Sequence, residues 1–476
     1  MIETLNGKEY LSMNGQSAEI TVDQPTRSIG SGSLDLAPME FSLNGEDRLK
    51  GSITTQYMDT LVIPAWESVL KTHTFGTPEA DAAFEAELEE RKKDRWKKLT
   101  GVDAQDSKLS VMIPAFKVGN VLPQVLTSYD YVSYPAEVEA NTIIISNGVE
   151  EQDANVNPSV MEYLSKKGKV LEVDIEQLGI TNDEGDVKSI AHMVQPEGTN
   201  HRYIHISVKS PNKGNSLNVG NQVALNYGHE CALGLDSNKF PEPNAIPHMY
   251  KAMHRHIREE QSAYVLTGNE HFYISDVGVM ERTAGMTPQE FLDLYMLWGR
   301  DETIGDNPTP LGFIHAWDTQ FVHDIGGYPK TWVEDDTLGL ISEHFGKPVV
   351  YVEQARVYRP ERNTMAGRVE ELKRRIVGAL QIKSMDNQFP GIGDAIDNVY
   401  LFLHEDIRNE KLAEWAENDP TRQELLPLIH GIWEYIVREG ENMHKSTPLG
   451  ATWKPDEVRD NSVKYAHHTN GFNSSK

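Results

Sequence analysis

Short apolar runs alternate with helically spaced stretches through the middle of the chain. Leu109-Ser110-Val111-Met112-Ile113 and Thr142-Ile143-Ile144-Ile145-Ser146 are near-continuous apolar runs, stopped by Pro114 and by Asn147-Gly148. Runs of this kind predict strands covered on both faces. Lys169–Val173, Tyr203–Val208, Phe272–Met280 and the run from Gly346 to Val352 predict further strands. Between them, Val121–Tyr129, Pro158–Lys167, Pro243–His256, Thr287–Trp298 and Thr337–Phe345 carry helical patterns. Pro at the first turn and Gly168 at the end bound the second of these helices. The alternation predicts an α/β class with a mostly parallel sheet flanked by helices.

The flanks read differently. Residues 1–60 hold short alternating runs such as Ala18–Val22 and Gly51–Thr55, which predict a β-rich appendage. Glu79–Lys98 passes from acidic to basic along its length, as a helix dipole favours, and predicts a solvated helix. Residues 181–200 are polar and predict an excursion beyond the core sheet. Beyond Gly367 the pattern is helical, at Val369–Ile382, Ala395–Glu405 and Leu425–Arg438, and the tail from Lys454 is polar. The expected division is an N-terminal extension over 1–105, a central domain over 106–365 and a helical C-terminal region over 366–476.

A length of 476 residues exceeds one ordinary core, and a 38% hydrophobic content is that of a globular protein. The net charge of −27 works against loose binding to nucleic acid or anionic membranes. No apolar run is long enough to cross a bilayer. The single cysteine excludes an internal disulfide or a multi-cysteine metal site, so a soluble, cytoplasmic protein is expected.

Candidate chemistry starts at residues 210–238. Asn212-Lys213-Gly214 is a polar turn opening a small-residue helix, and the apolar run Cys231–Leu235 ends on Asp236-Ser237-Asn238. An acidic residue just past a strand lies at the carboxyl edge of an open α/β sheet, where ligands bind. Asp236 and Asn238 supply hard oxygen ligands of the kind that suit Mg²⁺ or Mn²⁺. A lone Asp-x-Asn also fits a solvated, capped turn. The second stretch runs from Gly326-Gly327-Tyr328 to Trp332-Val333-Glu334-Asp335-Asp336. Its carboxylates fit an acidic helix start, and also a general base, Asp335, projecting into a cleft. A basic run, Arg359, Arg362, Arg368, Lys373, Arg374 and Arg375, stands out in so acidic a chain. His254, His256, His315, His323 and His344 show no metal-pair spacing and fit core or surface positions.

In this order the motifs resemble those of the GT-A fold, family-2 nucleotide-sugar glycosyltransferases. Pro114-Ala115-Phe116-Lys117 is similar to that family's strand-end entry, and Asn147-Gly148 stands at its Asp-Gly-Ser turn. Asn212-Lys213-Gly214-Asn215-Ser216-Leu217-Asn218 is similar to Gly-Lys-Gly-x-Ala-Leu-Asn, Asp236-Ser237-Asn238 to the metal motif, and Gly326-Gly327-Tyr328 with Glu334-Asp335 and Leu338 to Gly-Gly-Phe followed by Glu-Asp-x-x-Leu. The resemblance spans roughly residues 108–380. Asn238 departs from it by replacing a second Asp, and the Gln-Arg-x-Arg-Trp of processive membrane synthases is absent.

The resemblance implies a Rossmann-like sheet and a soluble enzyme that moves a sugar from a nucleotide-diphosphate sugar to an acceptor hydroxyl, on a glycan, a small molecule or a modified nucleobase. Pro114, Ala115, Phe116 and Asn147 would line the base slot, with Lys213, Asn218, Arg374 and Arg375 at the donor. Asp236 and Asn238 would hold the Mn²⁺ or Mg²⁺ that neutralises the departing diphosphate. Asp335, beside Glu334, would take the acceptor proton, giving inversion, and Trp317, Asp318 and Trp332 would contact the acceptor. A retaining glycosyltransferase, a viral-type enzyme acting on DNA bases, and a nucleotide- or glycan-binding module without catalysis stay open as alternatives.

Overall fold

The structure is a computed structural model. It describes residues 2–5, 8–13, 16–23, 42–43, 46–47, 77–116, 118, 122–123, 125–126, 129, 134–149, 156–181, 185–273, 280–283, 313–360 and 365–447. Lys117, Arg362 and the expected helix Thr287–Trp298 lie outside the described residues, and so does the polar tail from Lys454.

Among the described residues, ten strands make one sheet. They are β1 (Lys108–Ala115), β2 (Glu139–Asn147), β3 (Leu171–Asp174), β4 (Ile190–Val194), β5 (His201–Val208), β6 (Cys231–Leu235), β7 (Phe240–Pro241), β8 (Val265–Tyr273), β9 (Ile314–Asp318) and β10 (Val350–Pro360). Their order is β7-β10-β8-β9-β6-β1-β2-β5-β4-β3. β4, β7 and β9 run against the other strands. The expected mostly parallel α/β sheet is therefore present, with three antiparallel insertions.

Alternation along each strand sorts side chains to two faces. Val111, Ile113 and Ala115 of β1 join one buried cluster, and Met112 joins the other. The first cluster is covered by α1 (Pro78–Thr100), α2 (Val156–Lys167) and α4 (Ala245–Met253). The second is covered by α3 (Lys213–Asn226), α5 (Thr319–Asp324), α6 (Glu334–His344) and the C-terminal helices α7 (Met365–Lys383), α8 (Ile392–Val399), α9 (Glu405–Ala416) and α10 (Pro420–Lys445). Ile376, Ile396, Leu412 and Trp433 of these C-terminal helices share one continuous core with the sheet. At the N-terminus, strands Ile2–Leu5, Lys8–Met13 and Gln16–Asp23 form an antiparallel sheet completed by Met280–Thr283.

Four expectations need correction. α1 is not merely solvated: Phe84, Leu88 and Trp96 fall on one helical stripe and are buried, and the Trp96 indole donates to Ser107 Oγ at 3.0 Å. Residues 181–200 are not all excursion, because Ile190–Val194 pairs antiparallel to β5. Its outward positions are partly exposed, which diluted the apolar signal. β8 begins at Val265 rather than Phe272, and β9, unassigned from sequence, threads antiparallel between β6 and β8. α6 starts at Glu334, so its three carboxylates form the first helical turn.

Candidate active site

Four neighbouring parallel strands, β5, β2, β1 and β6, end at the same edge of the sheet. The residues at or just beyond those ends line one cleft: Pro211, Asn212 and Lys213 after β5, Asn147 at the end of β2, Pro114 and Phe116 at β1, and Asp236, Ser237 and Asn238 after β6. Thr331, Trp332, Glu334 and Arg374 form its opposite wall. This is the carboxyl edge, where open α/β sheets leave a crevice for ligands.

The start of α3 is fixed from several sides. Asn212 caps the helix, its Oδ1 accepting from Asn215 N at 2.9 Å. Asp186, reached through the polar segment before β4, accepts from Ser210 N at 2.9 Å and from Ser210 Oγ at 2.6 Å, and also from Asn215. Gly214 lets the backbone of the facing turn come close, since a Cβ there would stand 2.1 Å from the Pro329 carbonyl oxygen. One turn on, Asn218 clamps the same turn. Its Nδ2 donates to Tyr328 O at 2.9 Å and its Oδ1 accepts from Tyr328 N. Gly327 carries the left-handed φ of 109° that this turn requires.

These contacts deliver Lys213 between the two acidic stretches. Its Nζ lies 2.8 Å from Asp236 Oδ1 and 2.9 Å from Glu334 Oε1, and Lys239 Nζ lies 3.9 Å from Asp236 Oδ2. Burial opposes charge on Lys213, but Asp236, Glu334 and Asp335 outweigh it and hold the ammonium well above the usual lysine range. Burial pushes the Glu334 carboxyl up, Lys213 pulls it back, and Asp335 adds to the rise. Beneath them, His315 Nε2 and Tyr328 Oη are 2.7 Å apart. Burial, then Lys213, lowers His315 to about 4, so the ring is neutral at pH 7.

Of the residues singled out from sequence, Pro114, Phe116, Asn147, Lys213, Asp236, Asn238, Trp332, Glu334 and Arg374 meet in this cleft. Asp335 stands next to Glu334, half-exposed, and its carboxylate makes no hydrogen bond or ion pair among the described residues. The others lie elsewhere. Ala115 alternates to the opposite face and is fully buried. Asn218 is spent on the Tyr328 backbone. Arg375 faces away, 3.8 Å from Asp336 and 3.5 Å from Glu371. Trp317 is completely buried and donates to Asn221 Oδ1 at 2.9 Å, while Asp318 caps α5 by accepting from Phe321 N at 2.8 Å. A side chain spent on the core or on a cap is not offered to an acceptor. Sequence reasoning missed Pro211, Asn212, Thr331, Lys239 and Asp186. Only Asn212, an Asn just before a helical run, carried a capping signal.

The residues present do not fit a resident divalent cation. Both Asp236 oxygens face ammonium groups, and the other side-chain oxygens of the motif, Ser237 Oγ and Asn238 Oδ1, are neutral. Asn238 Oδ1 is shielded from solvent and accepts no hydrogen bond among the described residues. A dication about 4 Å from the Lys213 ammonium would be repelled by on the order of 8 kcal/mol at an effective dielectric of 20. Among the described residues, no group of three or more His, Cys, Asp or Glu side chains is placed to hold a metal. Nor is any described helix long and apolar enough to cross a membrane.

No protein-family model and no curated protein matches the sequence. Several solved structures are similar in shape. A mannosyltransferase, PcManGT from Pyrobaculum calidifontis in complex with GDP-Man and Mn²⁺, has a TM-score of 0.41 at 11% identity, covering 87% of this chain and 100% of that one. Residues 1–349 of S. aureus TarS in complex with UDP-GlcNAc have a TM-score of 0.35 at 13% identity, covering 71% and 91%. A mycobacterial protein has a TM-score of 0.37 at 13% identity, covering 61% and 77%. Likeness at this level assigns neither a residue nor a reaction to this chain.

Proposed function

We propose that the protein is a glycosyltransferase that binds a nucleotide-diphosphate sugar in the carboxyl-edge cleft and transfers its sugar, with inversion, to an acceptor hydroxyl. One observation carries the reading: Lys213, at the first turn of a helix, joins the acidic residue after β6 to the acidic start of α6 across that cleft. Pro114, Phe116 and Pro211, with the Asn147 amide beside them, give the cleft an apolar part suited to a nucleobase and its ribose. The diphosphate lies toward the α3 N-terminus, where helix amides and the Lys213 ammonium favour negative charge, with Arg374 opposite. Ser237 and Asn238 line the cleft beside Asp236 and wall the sugar's place.

The two neighbouring carboxylates separate by role. Glu334 is buried and tied to Lys213, so it fixes the ammonium. Asp335 is uncommitted and accessible, so it accepts the proton as the acceptor oxygen attacks the anomeric carbon. A positioned base of this kind contributes about 10²–10⁴-fold in rate. Trp332, held through its amide by Gln381 Oε1 at 2.8 Å, walls the acceptor side.

A thermal-shift panel of nucleoside diphosphates and their sugars tests the reading, because a ligand of the folded state raises the melting temperature by mass action. At least one nucleotide sugar is expected to raise it and to be hydrolysed or transferred. A panel in which none binds overturns the proposal.

A further inference from the structure

We infer that Lys213 is the built-in cation of this cleft, neutralising the donor diphosphate in place of a divalent metal. The inference rests on the nucleotide-sugar reading above. A metal at such a site must bridge protein oxygens and phosphates, and it needs carboxylate charge to stay. Here the Asp236 charge is already matched: Lys213 stands 2.8 Å from one oxygen and Lys239 3.9 Å from the other. Glu334, 2.9 Å from the same ammonium, adds the second carboxylate. An Asn at position 238 is consistent with this balance. A site whose cations are side-chain ammonium groups does not need the extra carboxylate that a bound dication demands.

The position of the ammonium is fixed by the backbone beneath it. The Asn212 cap and the close contact of Gly214 with Pro329 set the helix start from which the lysine extends. Because Lys213 lines the cleft, an incoming diphosphate can exchange carboxylate contacts for phosphate contacts on the same ammonium without the lysine leaving its place. In the transfer step the acceptor oxygen bonds to the anomeric carbon and its proton passes to Asp335. The bond from that carbon to the diphosphate oxygen breaks, and the electron pair leaves with the nucleoside diphosphate. Lys213 and Arg374 meet the negative charge that gathers there.

Isothermal titration of the full chain with UDP, GDP, dTDP and CDP, in EDTA and then in Mn²⁺, tests the inference. The nucleotide that binds is expected to do so in EDTA within about threefold of its affinity in Mn²⁺. Affinity at least about tenfold tighter in Mn²⁺ overturns the inference and leaves the nucleotide-sugar reading standing. Binding in neither condition overturns both. In EDTA, Lys213→Arg is expected to retain binding and Lys213→Gln to lose about tenfold or more. A Lys213→Gln chain that binds as tightly as the native one refutes the role given to the ammonium. If that variant fails to fold, the EDTA comparison on the native chain decides.

Discussion

Replacing Gly214 with Ala tests whether the close approach of α3 to the Pro329 turn holds the cleft together. On helix propensity alone the change should stabilise, by at most about 1 kcal/mol. The local geometry opposes it. The new Cβ would stand 2.1 Å from the Pro329 carbonyl oxygen and 3.1 Å from its carbon. An ordinary C···O contact is about 3.3 Å or more, so one backbone must retreat by about 1 Å. Overpacking of this kind costs roughly 1–3 kcal/mol, and the atoms in the way are backbone, which cannot turn aside. The net expectation is a loss of about 1–2 kcal/mol, with weaker nucleotide binding because Lys213 moves with the helix start. Gly220 in the same helix is the control. Its Cβ would meet Met112 Sδ at 2.5 Å and Cγ at 2.9 Å, atoms of a flexible side chain rather than backbone. Gly220→Ala should therefore cost no more than Gly214→Ala and leave nucleotide affinity unchanged. Urea denaturation and nucleotide titration of both variants provide the comparison. A Gly214→Ala chain as stable as the native one, with native affinity, refutes the reasoning.

The remaining expectations concern charge and the supporting shell. Asp335→Asn should cut transfer by about 10²-fold or more while nucleotide affinity and stability stay native; unchanged turnover removes Asp335 as the base. Glu334→Gln should instead weaken nucleotide binding and stability together, by about 1–3 kcal/mol in urea melts, since it removes a carboxylate charge that faces the Lys213 ammonium. Burial pushes His205 to about 3 and His229 and His315 to about 4, so all three are neutral in the fold. Each would bind a proton near 6.5 once unfolded. Stability should therefore fall as pH drops from about 6.5 toward 4, by about 2 kcal/mol per histidine at pH 5. A urea midpoint that does not change between roughly pH 7.5 and 5 contradicts this. Asn218→Ala removes both contacts to the Tyr328 backbone and should cost about 1–3 kcal/mol, with a matching drop in nucleotide affinity. Native affinity in that variant would show that the Tyr328 turn does not support the cleft.

Strands and chemistry were legible wherever one physical signal dominated. β1 and β2 stood out because a strand buried on both faces reads as an apolar run, and Asp236 because it follows such a run directly. β4 and β9 did not stand out. β4 is a half-exposed strand near the sheet's edge, and β9 carries His315, Trp317 and Asp318, polar-looking residues whose hydrogen-bond partners Tyr328, Asn221 and Phe321 lie outside the strand. The same residue types suggest a binding surface when their partners are unseen. The resemblance places Trp317 and Asp318 at the acceptor, and nothing in their own run shows that they are spent elsewhere. Lys239 was invisible for the converse reason: a single lysine after a turn reads as solvated, whereas here it is buried behind Asp236. Pairing across distant segments, such as Asp186 with Ser210, leaves no periodic trace in either one.

The C-terminal helices are what make the cleft two-sided, and the reason lies in helix geometry. Successive residues on a helix point about 100° apart, so neighbours serve different surfaces. On α7, Arg374 lines the cleft while Arg375 turns toward α6, 3.8 Å from Asp336 and 3.5 Å from Glu371. On α6 the same division holds two positions apart: Glu334 lines the cleft and Asp336 is buried on the far side, where it accepts from Tyr400 Oη. Arg368, fully buried, completes the network 2.8 Å from Glu371. Such a network adds little net stability, because desolvation offsets attraction, but breaking one partner leaves an uncompensated charge. Its effect is therefore geometric. It permits few registers of α6 against α7, and in the register observed the residue before Arg375 and the residue two before Asp336 both meet the cleft. Among adjacent charges in a run, the one that reaches a ligand is settled by which neighbour the packing consumes.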